Sequence, residues 1–380
     1  MNGGRGDLAL VIGGGGARAA YQVGFLRYLA RQFPGFSPPI LTGVSAGAIN
    51  AAYLAANTEP FGPRVENLAA LWNNLTTEQV FRVDRRSLTR NVLRLGIKLL
   101  SGGVVTTPRS YALVDTSPLR ALLDQALGSV GDELPGIAAN LESGQIKAVA
   151  ITASSYTTGQ SVTWVQGKRI GVWDRAHRKS RLCTLAVAHV MASAALPIFF
   201  PAVRVDRGYY GDGGILLTAP LSPAVHLGAE RILAISTRSA RTIEEADRPV
   251  VEGYPPPAQV VGVLLNAIFL DLFDADALSL DRVNRLIEAV PEERRLGMRP
   301  IRLLVLRPSR DLGMLANAYE ARLPPAFRFL TRGLGTRETR SNDLLSLLMF
   351  QPDYLSRLIE LGEVDAEARR GEISAFLEGA

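Results

Sequence analysis

The chain has 380 residues, 47% of them hydrophobic and 21% charged, which is enough to bury a substantial core and, on length alone, suits two or three domains. Its net charge of +6 (42 basic against 36 acidic residues) comes almost wholly from arginine, so it fits an anionic partner such as a lipid surface and equally a coding bias. The single cysteine, Cys183, excludes an intramolecular disulfide and any cysteine-based zinc cluster, as expected of a reducing, cytoplasmic setting.

From the N-terminus, Arg5, a short apolar run and Ala17-Arg18-Ala19 imitate a signal peptide, but four glycines interrupt the run and Asp7 sits in the leader. The stretch reads instead as a strand over Leu8 to Ile12, a glycine loop, and a helix carried by Val23, Leu26 and Leu29. The pattern repeats: Ile40 and Leu41 lead into Gly43, and small residues from Ala46 to Ala56 predict a second helix. Arg86, Arg90, Arg94 and Lys98 then recur on one face, with Leu88, Val92, Leu95 and Leu99 on another. This predicts a basic amphipathic helix, suited to a membrane surface or to packing on the domain with a solvated basic face. Apolar runs at 148–152, 232–235 and 301–306 predict buried strands. Pro255-Pro256-Pro257 marks a boundary before an apolar helical stretch, whose best window, 260–270, contains Asn266 and falls short of the ~18 apolar residues of a membrane span. Lipid contact is therefore expected to be peripheral. Beyond Pro308 the chain reads as helical, with Leu344, Leu345, Leu348, Leu355, Leu358 and Ile359 apolar. The alternation predicts an α/β domain with a mainly parallel sheet over residues 6–310. A helical extension over 311–380 is expected to pack on it or cap an entrance.

A serine hydroxyl attacks a carbonyl only when it is held exposed, close to a base and beside donors for the developing oxyanion. Gly43-Val44-Ser45-Ala46-Gly47 meets the first need: it places Ser45 in a strained turn between strand and helix, with Gly43 and Gly47 sparing a collision where the two elements pass. Gly14, Gly15 and Gly16 are suitable oxyanion donors, because glycine lets the backbone approach a ligand closely. The same loop fits a dinucleotide fingerprint through Gly14, Gly16 and Ala19. The acidic residue which that fingerprint requires about 20 positions on is absent. Only three histidines offer a base. His177 lies in a basic surface cluster, while His189 and His226 lie in helical stretches where a packing role serves; triad order leaves His226 formally possible after Asp212. Asp212 itself, in Asp212-Gly213-Gly214, suits either a hairpin turn or a catalytic carboxylate.

Taken together, Gly14-Gly15-Gly16-Ala17-Arg18, Gly43-Val44-Ser45-Ala46-Gly47 and Asp212-Gly213-Gly214 resemble, in that order, the three-block signature of patatin-like phospholipases. Ala192 to Pro197 with Phe200-Pro201 resembles the segment that the family carries before its aspartate. The family usually has glycine at the position of Ala19. The resemblance implies a three-layer α/β/α fold and a lipid acyl hydrolase of phospholipase A, lysophospholipase or carboxylester type. It implies a Ser45–Asp212 dyad without histidine, an oxyanion hole from Gly14, Gly15 and Gly16, and support from Gly43, Gly47, Gly213 and Gly214. Arg18 falls on the family's basic position, where three roles are open: organising the loop, meeting a phosphate, or standing in solvent. Leu196, Ile198, Phe199 and Phe200 fit an acyl groove or a buried strand. No metal or cofactor is implied, and the expected partners are a lipid or small ester and at most a membrane surface, with no nucleic acid. Two other readings stand beside this one: an acyltransferase on the same fold, although Val44 occupies the place where malonyl-type transferases have histidine, and a nucleotide-binding protein built on the glycine loop.

Overall fold

The computed structural model describes residues 7–82 and 112–378, apart from 169, 240, 241, 248, 252, 270, 271, 334, 337, 338 and 340. The basic amphipathic helix expected over 86–98 lies outside the described residues. The chain opens with strand β1 (Leu8–Ile12), the glycine loop and helix α1 (Ala19–Gln32), then strand β2 (Ile40–Val44) and helix α2 (Ala46–Ala56). All five residues of each strand are buried. Such continuous apolar runs, rather than alternating ones, mark strands covered on both faces.

The other expected strands are present: β3 (Ala148–Ser155), β9 (Arg231–Ile235) and β10 (Arg302–Leu306). In the sheet they run β10-β9-β1-β2-β3, each neighbour pair parallel. Beyond β3 the sheet turns antiparallel through β4 (Ser161–Gly167) and continues to β6 (Arg178–Leu182) and β5 (Asp174–Arg175). A hairpin of β7 (Val203–Val205) and β8 (Gly208–Asp212) attaches to the far end of β3, pairing Ala153 with Asp212. Helices cover both faces, giving a three-layer α/β/α sandwich.

β1 and β2 lie centrally, so the loops at their C-terminal ends, which carry the glycines and Ser45, open into one crevice where α/β sheets place ligands. Helix α1 packs against α3 (Phe61–Asn73) and against the C-terminal helix Pro352–Ala368. The tail leucines expected to be apolar are buried, among them Leu344, Leu348, Leu355 and Leu358. Among the described residues, the segment Pro257–Glu288 contains the stretch long and apolar enough to cross a membrane, by length and composition alone. The requirement for an uninterrupted apolar run had passed over it because Asn266 lies within it.

Candidate active site

Ser45 stands where β2 ends and α2 begins, with φ 57 and ψ −134. For a residue with a Cβ this backbone is strained, and such strain persists only where the surroundings enforce it. A Cβ on Gly43 would lie 2.5 Å from the Gly47 carbonyl oxygen, and one on Gly47 would lie 2.3 Å from that of Gly13. Only glycines allow strand, turn and helix to pass this closely. The Ser193 hydroxyl secures the turn: it accepts the Ser45 backbone N–H at 2.9 Å and donates to the Thr152 carbonyl at 2.6 Å.

The hairpin that ends β8 brings Asp212 to the serine. Ser45 Oγ donates to Asp212 Oδ2 at 2.6 Å, while the Gly214 N–H donates to Oδ1 at 2.9 Å. Asp212 is fully buried and Ser45 only 6% exposed. Burial, the largest influence, pushes the Asp212 carboxyl from its ordinary 3.8 up to about 7, against the two hydrogen bonds, which favour the ionised form. Beside it the Tyr156 ring lies against Gly211. The Tyr156 hydroxyl is pushed up first by burial and then by the Asp212 charge.

On the other side of the serine, the Cβ position of Gly14 lies 3.0 Å from Ser45 Cβ. Thr237 Oγ1 donates to the Gly14 carbonyl at 2.6 Å. Since the N–H of a trans peptide points opposite its carbonyl, this bond directs the Gly15 N–H away from Thr237. No protein acceptor within the described residues takes the Gly14 or Gly15 N–H. The Gly13 carbonyl is held by Gln22 Nε2 at 2.7 Å, Gln22 by Asn50 at 3.1 Å, and Asn50 by Trp72 Nε1 at 2.8 Å. This buried amide chain ties the loop to the wall of an adjoining cavity.

Ser45 and Asp212 line that cavity, whose other side chains are apolar, including Ile49, Trp72, Leu75, Leu123, Phe200 and Phe350. Phe81 braces its wall, with ring centroids 5.9 Å from Phe200 and 6.4 Å from Phe350. Of the four residues with two open readings, Leu196 and Phe200 line the cavity. None of the four is in a strand. Ile198 is 67% exposed, at φ 69.

The histidines stand apart from this site. His177 is exposed. His189 accepts the Ala186 N–H at 2.9 Å and packs edge-on against Trp164, and burial holds it below its ordinary value. His226 stacks on Trp173 at 4.6 Å, with burial first and Arg175 and Arg178 next lowering its affinity for a proton. The solvated reading of Arg18 is corrected: it is 3% exposed, because its guanidinium binds Asp343 and Ser346. Among the described residues no group of three or more metal-ligating side chains is found.

Sequence reasoning missed Ser193, Thr237, Gln22 and Asp343. Thr237 had a usable signal, a polar residue just past the C-terminal end of an apolar strand in a parallel sheet, where ligands bind. Asp343 had none, since nothing local ties it to the loop.

A family model described as patatin-like phospholipase matches residues 10–225. No curated protein matches the chain. Among solved structures, human GIVD cytosolic phospholipase A2 in complex with methyl gamma-linolenyl fluorophosphonate is 17% identical with a TM-score of 0.47, covering 98% of this chain and 59% of its own. VipD from Legionella pneumophila is 14% identical with a TM-score of 0.35, covering 94% of this chain and 67% of its own. ExoU of Pseudomonas aeruginosa is 15% identical with a TM-score of 0.34, covering 93% and 54%. The chain thus spans about three fifths of the length of the phospholipase A2, from the 59% coverage.

Proposed function

The chain belongs to the patatin-like phospholipase family, and from that premise we propose that it is a serine lipid acyl hydrolase working through a Ser45–Asp212 dyad. The observation that carries this reading is the 2.6 Å hydrogen bond from Ser45 Oγ to Asp212 Oδ2, made in the wall of an apolar cavity. Ser45 Oγ attacks the acyl carbonyl carbon while its proton passes to Asp212. The carbonyl oxygen gains the negative charge and is met by backbone N–H groups of Gly14 to Gly16, at an end of the loop that the N-terminus of α2 also faces. Collapse of the tetrahedral intermediate expels the alcohol, which takes its proton from Asp212. Water then attacks the acyl-enzyme, with Asp212 again as base, and releases the fatty acid.

A carboxyl held near 7 suits both halves of this cycle, since it accepts and returns a proton at similar cost. The cavity takes the acyl chain: an apolar lining beside the nucleophile rewards hydrocarbon and offers a polar acyl group no partners. Arg18, Gly43, Gly47, Gly213 and Gly214 support the reacting groups without touching the substrate.

Replacing Ser45 with Ala and, separately, Asp212 with Asn is expected to abolish cleavage of a short p-nitrophenyl ester; full activity in either variant contradicts the mechanism. A panel of phospholipid, lysophospholipid and neutral-lipid esters, with and without alcohol acceptors, then assigns the substrate. Acyl products formed on the acceptor in preference to free fatty acid would reassign the protein as a transferase.

A further inference from the structure

We propose that Asp343 is a positioning residue for this reaction, acting through Arg18 to fix the glycine loop from which the oxyanion donors come. The inference rests on the dyad reading above. Gly15 and Gly16 sit at φ 149 and 54. Glycine holds such conformations at little cost, and leaves them at little cost as well. A loop of this kind donates accurately only if something outside it holds it in place.

The holder is the helix Asp343–Leu348, which lies beyond the family-matched residues 10–225. It meets the loop twice. A Cβ on Gly16 would lie 2.2 Å from the Leu347 carbonyl oxygen, so the two backbones are in direct contact. Next to that contact, Arg18 is the N-cap of α1, at the helix end where a cation opposes the dipole, and it is almost wholly buried. Its charge is met by Asp343 Oδ1 at 2.5 Å, and its Nε donates to Ser346 Oγ at 2.7 Å. The second carboxylate oxygen of Asp343 accepts from Asn266 at 3.1 Å. The helix is itself anchored, with Asn342 Oδ1 accepting the Leu345 N–H at 3.0 Å. Asp343 does not line the cavity, whereas Leu347 and Leu348 of the same helix do. One short helix therefore shapes the acyl pocket and fixes the loop above it.

A purely structural ion pair would behave differently. Asp343→Asn leaves the buried Arg18 charge without its partner and should lower the thermal midpoint, so turnover is compared per folded molecule and a loss of kcat beyond the loss of folded protein marks positioning. Asp343→Asn, Asp343→Glu and Ser346→Ala are compared with the parent and with Ser45→Ala for kcat and KM on p-nitrophenyl butyrate. The rate of inactivation by a fluorophosphonate and the thermal midpoint are measured on the same samples. Because a displaced loop weakens donation to the oxyanion, Asp343→Asn should lose kcat by at least about tenfold, approaching ~10²-fold, with KM changed less than about threefold. Fluorophosphonate inactivation, which develops charge at the same oxygen, should slow in parallel, and the acid limb of the pH profile, set by Asp212, should stay in place. Asp343→Glu should recover part of the loss. A kcat per folded molecule within about twofold of the parent, or a loss confined to KM, overturns the proposal. If Asp343→Asn does not fold, Ser346→Ala decides by the same criteria, since it removes the Nε acceptor, together with the hydroxyl's bond to the Asp343 carbonyl, and leaves both charges of the ion pair in place. Retained activity in Ser45→Ala overturns the dyad reading instead; an inactive Ser45→Ala beside a fully active Asp343→Asn overturns the positioning role alone.

Discussion

Asp212 answers two opposed demands. Burial beside an apolar cavity raises its affinity for a proton to a level that suits the base role proposed for it near neutrality, yet burying its charge costs folding free energy. An acid whose folded pKa lies above its unfolded value binds its proton more tightly when folded. Its contribution to stability is therefore highest at low pH and falls as pH rises from the ordinary 3.8 through about 7. Two outcomes follow from this one group. The acid limb of kcat/KM should titrate near 7, since only ionised Asp212 accepts the serine proton. And Asp212→Asn, though inactive, should melt no lower than the parent at pH 8, with any advantage shrinking as pH falls toward 5. A clearly lower midpoint for the variant at pH 8 would mean that the carboxylate is better solvated than its burial implies. At this scale Ser45 and Asp212, the two residues proposed to react, could be singled out in the sequence, because the proposed chemistry demands glycines at fixed offsets. The bonds made by Ser193 could not, because a hydroxyl that secures a backbone group in another element leaves no local pattern, while Thr237 carried a signal in its place just past an apolar strand.

Helix α1 and the helix Pro352–Ala368 cross so closely that a Cβ on Gly24 would lie 2.0 Å from the Ile359 carbonyl oxygen and one on Gly362 would lie 2.2 Å from that of Tyr21. Tyr21 Oη donates across the same interface to Asp365 at 3.0 Å. In an exposed helix a Gly to Ala change stabilises by about 1 kcal/mol. Here the methyl group would strike backbone, and overpacking costs about 1–3 kcal/mol. Gly362→Ala should therefore lower the denaturation midpoint, and an increase would show that the helices separate freely. The central strands and α1 and α2 were readable because continuous apolar runs and helical spacing are local properties. The part of the sheet beyond β3 was not: β6, Arg178–Leu182, is mostly charged and buries only Ser180, so its parallel pairing with β4 is a matter of tertiary position. The helical character of the tail was readable, but its place against the glycine loop was not, since that rests on a contact between Arg18 and Asp343.

Across the whole molecule the site draws on segments far apart in sequence: the loop after β1, the turn after β2, the hairpin end at Asp212, and the helix Asp343–Leu348. The family match at 10–225 holds both residues proposed to react, while Thr237, which bonds the Gly14 carbonyl, and Asp343, which binds Arg18, lie after it. The net charge of +6 had suggested a lipid surface without locating one, because total charge carries no position. The central claim is that Ser45, activated by Asp212, is the nucleophile. It is tested most directly by treating the full chain with a fluorophosphonate at pH 8 and mapping the modified peptide. The account predicts a single stoichiometric adduct on Ser45, formed rapidly in the parent and strongly slowed in Asp212→Asn. An adduct on another serine, or equal labelling of Ser45 in both proteins, would contradict it.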